Sequence, residues 1–83
     1  MDKIVTIGSV VELTNKEKYM IIGYYGEDAR DNKLYDYIGC KYPAGLFGGI
    51  QLFNEPEIKN IEFNGFEHPV IDKMLNEIRE EVK

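Results

Sequence analysis

The sequence predicts an α+β fold in which a small, strongly curled antiparallel sheet of about five strands is followed by one C-terminal amphipathic helix. Short apolar segments rich in β-branched and aromatic residues are separated by glycine, proline and asparagine, which is typical of strands joined by hairpins. The end of the chain instead carries apolar residues at three- and four-residue spacing, which is typical of a helix. The simplest arrangement is an SH3-like barrel with the helix on an open face.

The first two strands are predicted to pair as a hairpin. Residues of about 3–14 alternate loosely, and a kink or bulge is expected at Gly8. The polar tip at 14–17 leads into a second strand over about 18–25. The near-continuous apolar run of this second strand favours a central position in the sheet.

The third strand is predicted over about 34–42, after a charged loop at 26–33. Its two-residue alternation places Ile38 and Cys40 on the core side. Tyr35 and Tyr37 then face a neighbour or solvent.

Proline and glycine interrupt the chain after the third strand. Pro43 has no N–H to donate to a sheet, and three glycines follow it, so an irregular crossing loop is predicted from Pro43 to Gly49. Short strands over about 50–53 and 58–63 then complete the sheet.

A helix is predicted over about 69–82, because Pro69 suits the first position of a helix. The apolar residues that follow recur on one helical face: Val70, Ile71, Met74, Leu75, Ile78 and Val82. This face is expected either to cover the sheet or to pair between two chains, which would make a homo-oligomer.

Length and composition predict one folded domain over residues 1–83, because a chain of 83 residues supports a single core. The 15 acidic and 10 basic residues give a net charge of −5, and the basic residues are scattered, which disfavours nucleic acid and anionic lipid as partners. No segment is long and apolar enough to span a membrane. A single cysteine and the absence of a signal-like leader lead us to expect a cytoplasmic protein.

No set of residues suits catalysis, a metal or a cofactor, so we predict a protein that is not an enzyme. The single histidine, His68, has no nucleophile in its sequence context, and Cys40 lies in mid-strand, where a thiol acts as a small apolar group. The acidic loop at 28–33 has basic residues among its would-be calcium ligands. The glycines at 45–49 are followed by no lysine and open no helix, as a phosphate loop would.

The aromatic residues are the most informative feature that remains. Tyrosine is enriched at protein interfaces, where it supplies a large contact area at low entropy cost. Two interpretations stay open, a completed small core and an exposed patch for a protein partner. The residues concerned are Tyr24, Tyr25, Tyr35, Tyr37, Tyr42 and Phe47.

The order of several short motifs resembles the domain-of-unknown-function 4176 family over about residues 6–67. Two departures stand out: Thr6-Ile7 replaces an expected Leu-Pro pair, and Ala44 replaces a frequent acidic residue. The motifs are Ile7-Gly8-Ser9-Val10-Val11, Tyr19-Met20-Ile21-Ile22-Gly23, Tyr35-Asp36-Tyr37, Tyr42-Pro43-Ala44-Gly45, Gln51-Leu52-Phe53-Asn54 and Ile61-Glu62-Phe63-Asn64-Gly65-Phe66.

The resemblance implies an accessory role without catalysis, since the family occurs in Gram-positive gene clusters for LXG-type toxins that are exported by type VII secretion. We therefore expect a cytoplasmic chaperone or targeting partner of a toxin. An immunity protein that caps a toxin and a self-associating structural domain are the alternatives. The residues that we predict to contact the partner are Tyr35, Tyr37, Tyr42, Pro43, Leu46 and Phe47.

Overall fold

Five antiparallel strands form one sheet in the computed structural model, which describes residues 4–70, 73–74 and 76–77. The spatial order of the strands is β4-β3-β2-β1-β5. The elements are β1 (Val10–Leu13), β2 (Lys18–Asp28), β3 (Lys33–Lys41), β4 (Gly45–Phe53), a 3-10 turn (Glu55–Glu57) and β5 (Ile58–Phe63).

The predicted barrel is wrong, because the sheet is open and β4 and β5 remain separate edges. The chain crosses from one edge to the other through residues 54–57, and two hydrogen bonds with Asp36 of β3, one through its backbone and one through its side chain, hold this crossing. Asp36 donates its N–H to Asn54 Oδ1 at 3.0 Å and accepts the Glu55 N–H through Oδ2 at 3.0 Å. These bonds hold the connection between the two edge strands, which are not paired with each other.

The predicted α+β class is also wrong, because the described part of the chain is all-β. Residues 69–70 form a turn, and the described residues beyond it, 73–74 and 76–77, have helical backbone but exposed side chains. Val70 and Met74 are 45% and 49% exposed, so they lack the burial of an apolar face that stabilises most helices in proteins. The rest of the predicted helix, at 71–72, 75 and 78–82, lies outside the described residues.

The strands differ in length from those predicted. β1 begins only at Val10, because Gly8 has a φ of 91° and the backbone turns there. β2 continues to Asp28, and β3 begins at Lys33. The charged loop is therefore only the tip of one long hairpin. β4 begins at Gly45 rather than near residue 50, which absorbs most of the predicted crossing loop into a strand.

The core lies on the face of the sheet that carries Tyr37 and Phe53, which are 2% and 0% exposed. Their ring centroids are 5.8 Å apart, and the ring centroid of Tyr19 lies 6.0 Å from that of Phe53. Gly39 leaves room for this stack, because a Cβ there would lie 2.8 Å from a Phe53 ring carbon. The predicted orientation of β3 is therefore wrong, since Tyr37 rather than Ile38 faces the main core.

The segment before β1 crosses this core face and is held by two phenol groups. Val5 is buried; it donates its N–H to the Tyr37 hydroxyl at 3.1 Å and accepts a bond from the Tyr24 hydroxyl at 2.7 Å. Burial raises the pKa of the Tyr24 phenol and of the Tyr37 phenol above the usual value for tyrosine. These two bonds join the start of the chain to the centre of the sheet.

Candidate functional site

Phe47, the most exposed large apolar side chain among the described residues, lies in a bulge of β4 together with Leu46. Cys40 of β3 pairs with Ile50, whereas the next residue, Lys41, pairs with Gly45. Two adjacent residues of β3 thus pair with two residues of β4 that are five positions apart. Residues Leu46–Gly49 are therefore unpaired with β3, and we call them the β4 bulge. Within it Leu46 is 69% exposed and Phe47 is 97% exposed.

Glycines determine the backbone of the β4 bulge. Gly45 before it and Gly49 at its end have φ values of 67° and 102°, in the region that L side chains disfavour. Gly48 has a different role, because a Cβ there would lie 2.7 Å from the Lys41 Cβ. The glycine pattern that predicted an irregular loop is thus explained by two turns of the backbone and one close contact with β3.

The side chain beneath the β4 bulge is itself held in place. Lys41 Nζ lies 3.1 Å from Glu17 Oε2 and 5.3 Å from the centroid of the Tyr19 ring. The Tyr19 hydroxyl donates to the same Glu17 carboxylate at 2.9 Å. These hydrogen bonds from Lys41 and Tyr19 lower the pKa of Glu17. Leu46 and Phe47 therefore project from an ordered base, which reduces the entropy lost when a partner binds them.

A polar groove of about 520 Å³ runs beside the regular part of β4. Its lining combines β4 residues with the tip of the β2–β3 hairpin and the 3-10 turn: Asp28, Arg30, Asp31, Tyr35, Ile50, Gln51, Leu52 and Glu57. We call it the acidic groove, because it has three carboxylates and one guanidinium.

The carboxylates of the hairpin tip bond within the loop. Asp28 bonds the Arg30 guanidinium at 2.9 Å, and hydrogen bonds from Arg30 lower the pKa of Asp28 to about 2. Asp31 accepts bonds from the Lys33 N–H at 2.9 Å and the Tyr35 hydroxyl at 3.0 Å. This bond and the Asp31 charge raise the pKa of Tyr35. The carboxylates thus order the hairpin rather than converging as ligands of one ion.

The face of the sheet opposite the core of Tyr37 and Phe53 carries a row of apolar residues, one from each of the five strands. Directly paired residues of antiparallel strands share a face, so the register places the row as Phe63, Val10, Met20, Cys40 and Ile50. Val10 and Cys40 are buried at 7% and 3% exposure, while Phe63 and Ile50, at the two edges, are 62% and 59% exposed. The row therefore ends in one exposed apolar side chain on each edge strand.

The six residues predicted to contact a partner are not one surface. Tyr37 belongs to the core, and Tyr35 is half-buried beside the acidic groove. Tyr42 is 47% exposed and lines a second groove, of about 420 Å³, with Met20 and Phe63. Pro43, which follows a cis peptide bond, is exposed at the hairpin turn. Only Leu46 and Phe47 lie together at the tip of one projecting segment.

Sequence reasoning missed the edge formed by Ile50, Gln51 and Leu52, which lines the acidic groove. A signal was present, since the stretch Gly45–Phe53 contains no charged residue in a chain that is 30% charged. The sequence predicts a loop and a short strand over this stretch, whereas the structure has one edge strand there.

The described residues bring together few groups of catalytic or metal-binding type. Across 4–70 and the described positions beyond it, no three His, Cys, Asp or Glu side chains are placed to hold a metal ion. Cys40 is buried, and His68 is exposed and accepts the Val70 N–H through Nδ1 at 3.2 Å. The same part of the chain has no helix that is long and apolar enough to cross a membrane.

Comparison with known proteins identifies one match. The model of a domain of unknown function, DUF4176, matches residues 4–73. No curated protein and no solved structure matches the chain. The match covers β1 to β5, including the β4 bulge and both edge strands. The chain therefore belongs to the DUF4176 family.

Proposed function

We propose that the protein is a non-enzymatic binding protein that acts in the cytoplasm as a chaperone or targeting partner of an LXG-type toxin exported by type VII secretion. The toxin and the secretion system are what the resemblance to its family implies. The observation that carries the binding role is the β4 bulge, where Leu46 and Phe47 are 69% and 97% exposed.

Exposed apolar side chains of this kind favour a protein partner. Burying a Phe side chain stabilises a complex by about 1.5–3 kcal/mol relative to leaving it in water. Phe47 is not at the end of a loose loop, because Gly48 packs on Lys41 and Lys41 is bonded to Glu17. A small number of preorganised aromatic anchors supplies most of the affinity in many protein interfaces.

Copurification with the LXG toxin encoded nearest to this chain's gene tests the binding role. We expect the purified full chain to bind that toxin, and Phe47→Ser to lower the affinity at least about tenfold. Phe66→Ser is the matched control, because Phe66 is 81% exposed but lies beyond β5. Absence of toxin binding by the unmodified chain would contradict the proposal.

A second candidate function is immunity, which the charge of the protein favours. A net charge of −5 and the acidic groove suit a basic toxin domain. Deletion of the gene separates the two roles. Loss of a chaperone lowers the amount or the export of the toxin, whereas loss of an immunity protein removes protection of the producing cell.

A further inference from the structure

The Ile50–Phe53 part of the β4 edge carries no charge and no proline, two features that normally prevent pairing with another chain. Natural edge strands carry charges, proline or bulges, or are very short. β4 is nine residues long, and Gly45–Phe53 contains neither a charged residue nor proline. The β4 bulge interrupts its first half, which leaves Ile50–Phe53 as a regular edge paired on one side only, with β3.

Backbone groups are available along this edge. In an edge strand, alternate N–H and C=O groups point away from the sheet and need other partners. The Leu52 carbonyl accepts an exposed bond from the side-chain amide of its neighbour Gln51 at 3.1 Å. The flexible Gln51 side chain thus donates to a carbonyl of the edge strand, and the N–H of an added strand can replace this donor.

We propose that Ile50–Phe53 binds an extended segment of the partner by strand addition. The segment is a stretch of another protein, with apolar side chains against Ile50 and the β4 bulge and a basic side chain in the acidic groove. Backbone bonds supply affinity in such complexes, and side-chain pockets supply specificity. This inference rests on the proposed binding function and adds where and how the partner is held.

The charge of the acidic groove selects this occupant over a second copy of the chain. Arg30 is paired with Asp28, whereas Asp31 and Glu57 form no salt bridge within the described residues. Two β4 edges paired with each other would bring two such groups of carboxylates to one interface, with like charges facing each other. A basic side chain from a partner instead finds two carboxylates that form no salt bridge within the described residues.

A pair of lysine substitutions at the two ends of the apolar row tests the proposal. Ile50→Lys places a charge on the β4 edge, and Phe63→Lys places the same charge on the β5 edge at nearly equal exposure, 59% against 62%. We expect Ile50→Lys to lower affinity for the LXG toxin at least about tenfold and Phe63→Lys to change it less than about twofold. Circular dichroism and urea unfolding show whether each variant is folded.

Amide hydrogen exchange of the full chain, with and without the toxin, gives a readout that needs no substitution. Strand addition slows the exchange of the outward-facing amides within 50–53. Combined Asp31→Asn and Glu57→Gln keeps a side-chain oxygen at each position and is expected to weaken binding about two- to fivefold at low salt, with a smaller loss at high salt.

The results separate this inference from the binding function. If the unmodified chain binds the toxin but Ile50→Lys binds equally well, or exchange slows only outside β4, strand addition is wrong and the binding function stands. If the chain alone is a dimer that Ile50→Lys converts to a monomer, the occupant is a second copy and the proposal is overturned. If the unmodified chain binds no toxin, the proposed function itself fails.

Discussion

β4 and β5 are the two edges of one sheet, and they are protected to very different degrees. β5 is six residues long and includes Lys59 and Glu62, and Glu62 lies 3.2 Å from Lys18 on the other side of β1. β4 is uncharged, and its regular part, which pairs with β3, is Ile50–Phe53. Charges on an edge strand disfavour pairing with other chains, because an added strand would have to desolvate them. The proposed strand addition at β4 therefore predicts that β5 does not bind in the same way.

The two edges also differ in how they are attached to the fold. β4 ends at Phe53, which is fully buried against Tyr19 and Tyr37, whereas β5 ends at Phe63, which is 62% exposed. The open edge is therefore anchored through its last residue in the aromatic core. Such an anchor holds the end of the edge strand in place.

Truncating these two phenylalanines is expected to give the largest difference. Phe53→Ala removes the centre of the aromatic stack and should lower the free energy of unfolding by about 3–5 kcal/mol. Phe63→Ala should cost less than about 1 kcal/mol, because most of that ring is already in water. Urea unfolding measures both, and equal losses would show that the two edges are anchored alike.

Removing one hydroxyl from β3 tests the bond between the core and the segment before β1. Tyr37→Phe keeps the ring but leaves the buried Val5 N–H without its acceptor, so we expect a loss of about 1–3 kcal/mol in unfolding free energy. Tyr35→Phe is the control, because its bond to Asp31 is exposed, and a change within about 0.5 kcal/mol is expected. A loss as large for Tyr35→Phe would contradict the different roles given to these two tyrosines.

Alkaline pH should destabilise the protein through the buried phenols. Burial raises the pKa of Tyr24 and Tyr37 in the folded state, while both titrate near pH 10 in the unfolded chain. Their stabilising contribution is therefore complete below about pH 10 and is lost as the pH rises through the folded-state pKa. Urea unfolding at about pH 8 and about pH 11 should show this loss.

The Tyr37→Phe variant separates the two phenols. It has one fewer buried group to ionise, so its unfolding free energy should fall less steeply above about pH 10. An unchanged slope would mean that the Tyr37 phenol does not contribute to the alkaline loss.

The sequence predicted the strands better than their arrangement. Alternation and turn residues predicted five strands, but whether a curled sheet closes depends on the groups at its ends. Here Asp36 bonds to residues 54 and 55, and no local pattern indicates that a β3 carboxylate holds the 3-10 turn at the end of the sheet.

The sequence also does not predict which side of β3 faces the core. The two-residue period of a strand places Tyr37 and Ile38 on opposite faces but does not show which face is buried. The structure buries Tyr37 because Gly39 makes room beside it for Phe53 of β4, a contact that the pattern of β3 alone does not contain. The glycines around Leu46 and Phe47 predict an irregular backbone there, but not that both side chains are exposed, which depends on the register of β4.

The salt bridge at the β5 edge should have the smallest effect on stability. Glu62 and Lys18 are partly exposed, so Glu62→Gln is expected to lower the unfolding free energy by less than about 1 kcal/mol, and by less still in 1 M salt. Its effect on the edge should be clearer, because the variant removes one of the two charges of β5. Light scattering during prolonged incubation should show faster association for Glu62→Gln than for Glu27→Gln, which removes an exposed carboxylate from β2, outside both edge strands. Equal rates would mean that charge is not what closes the β5 edge.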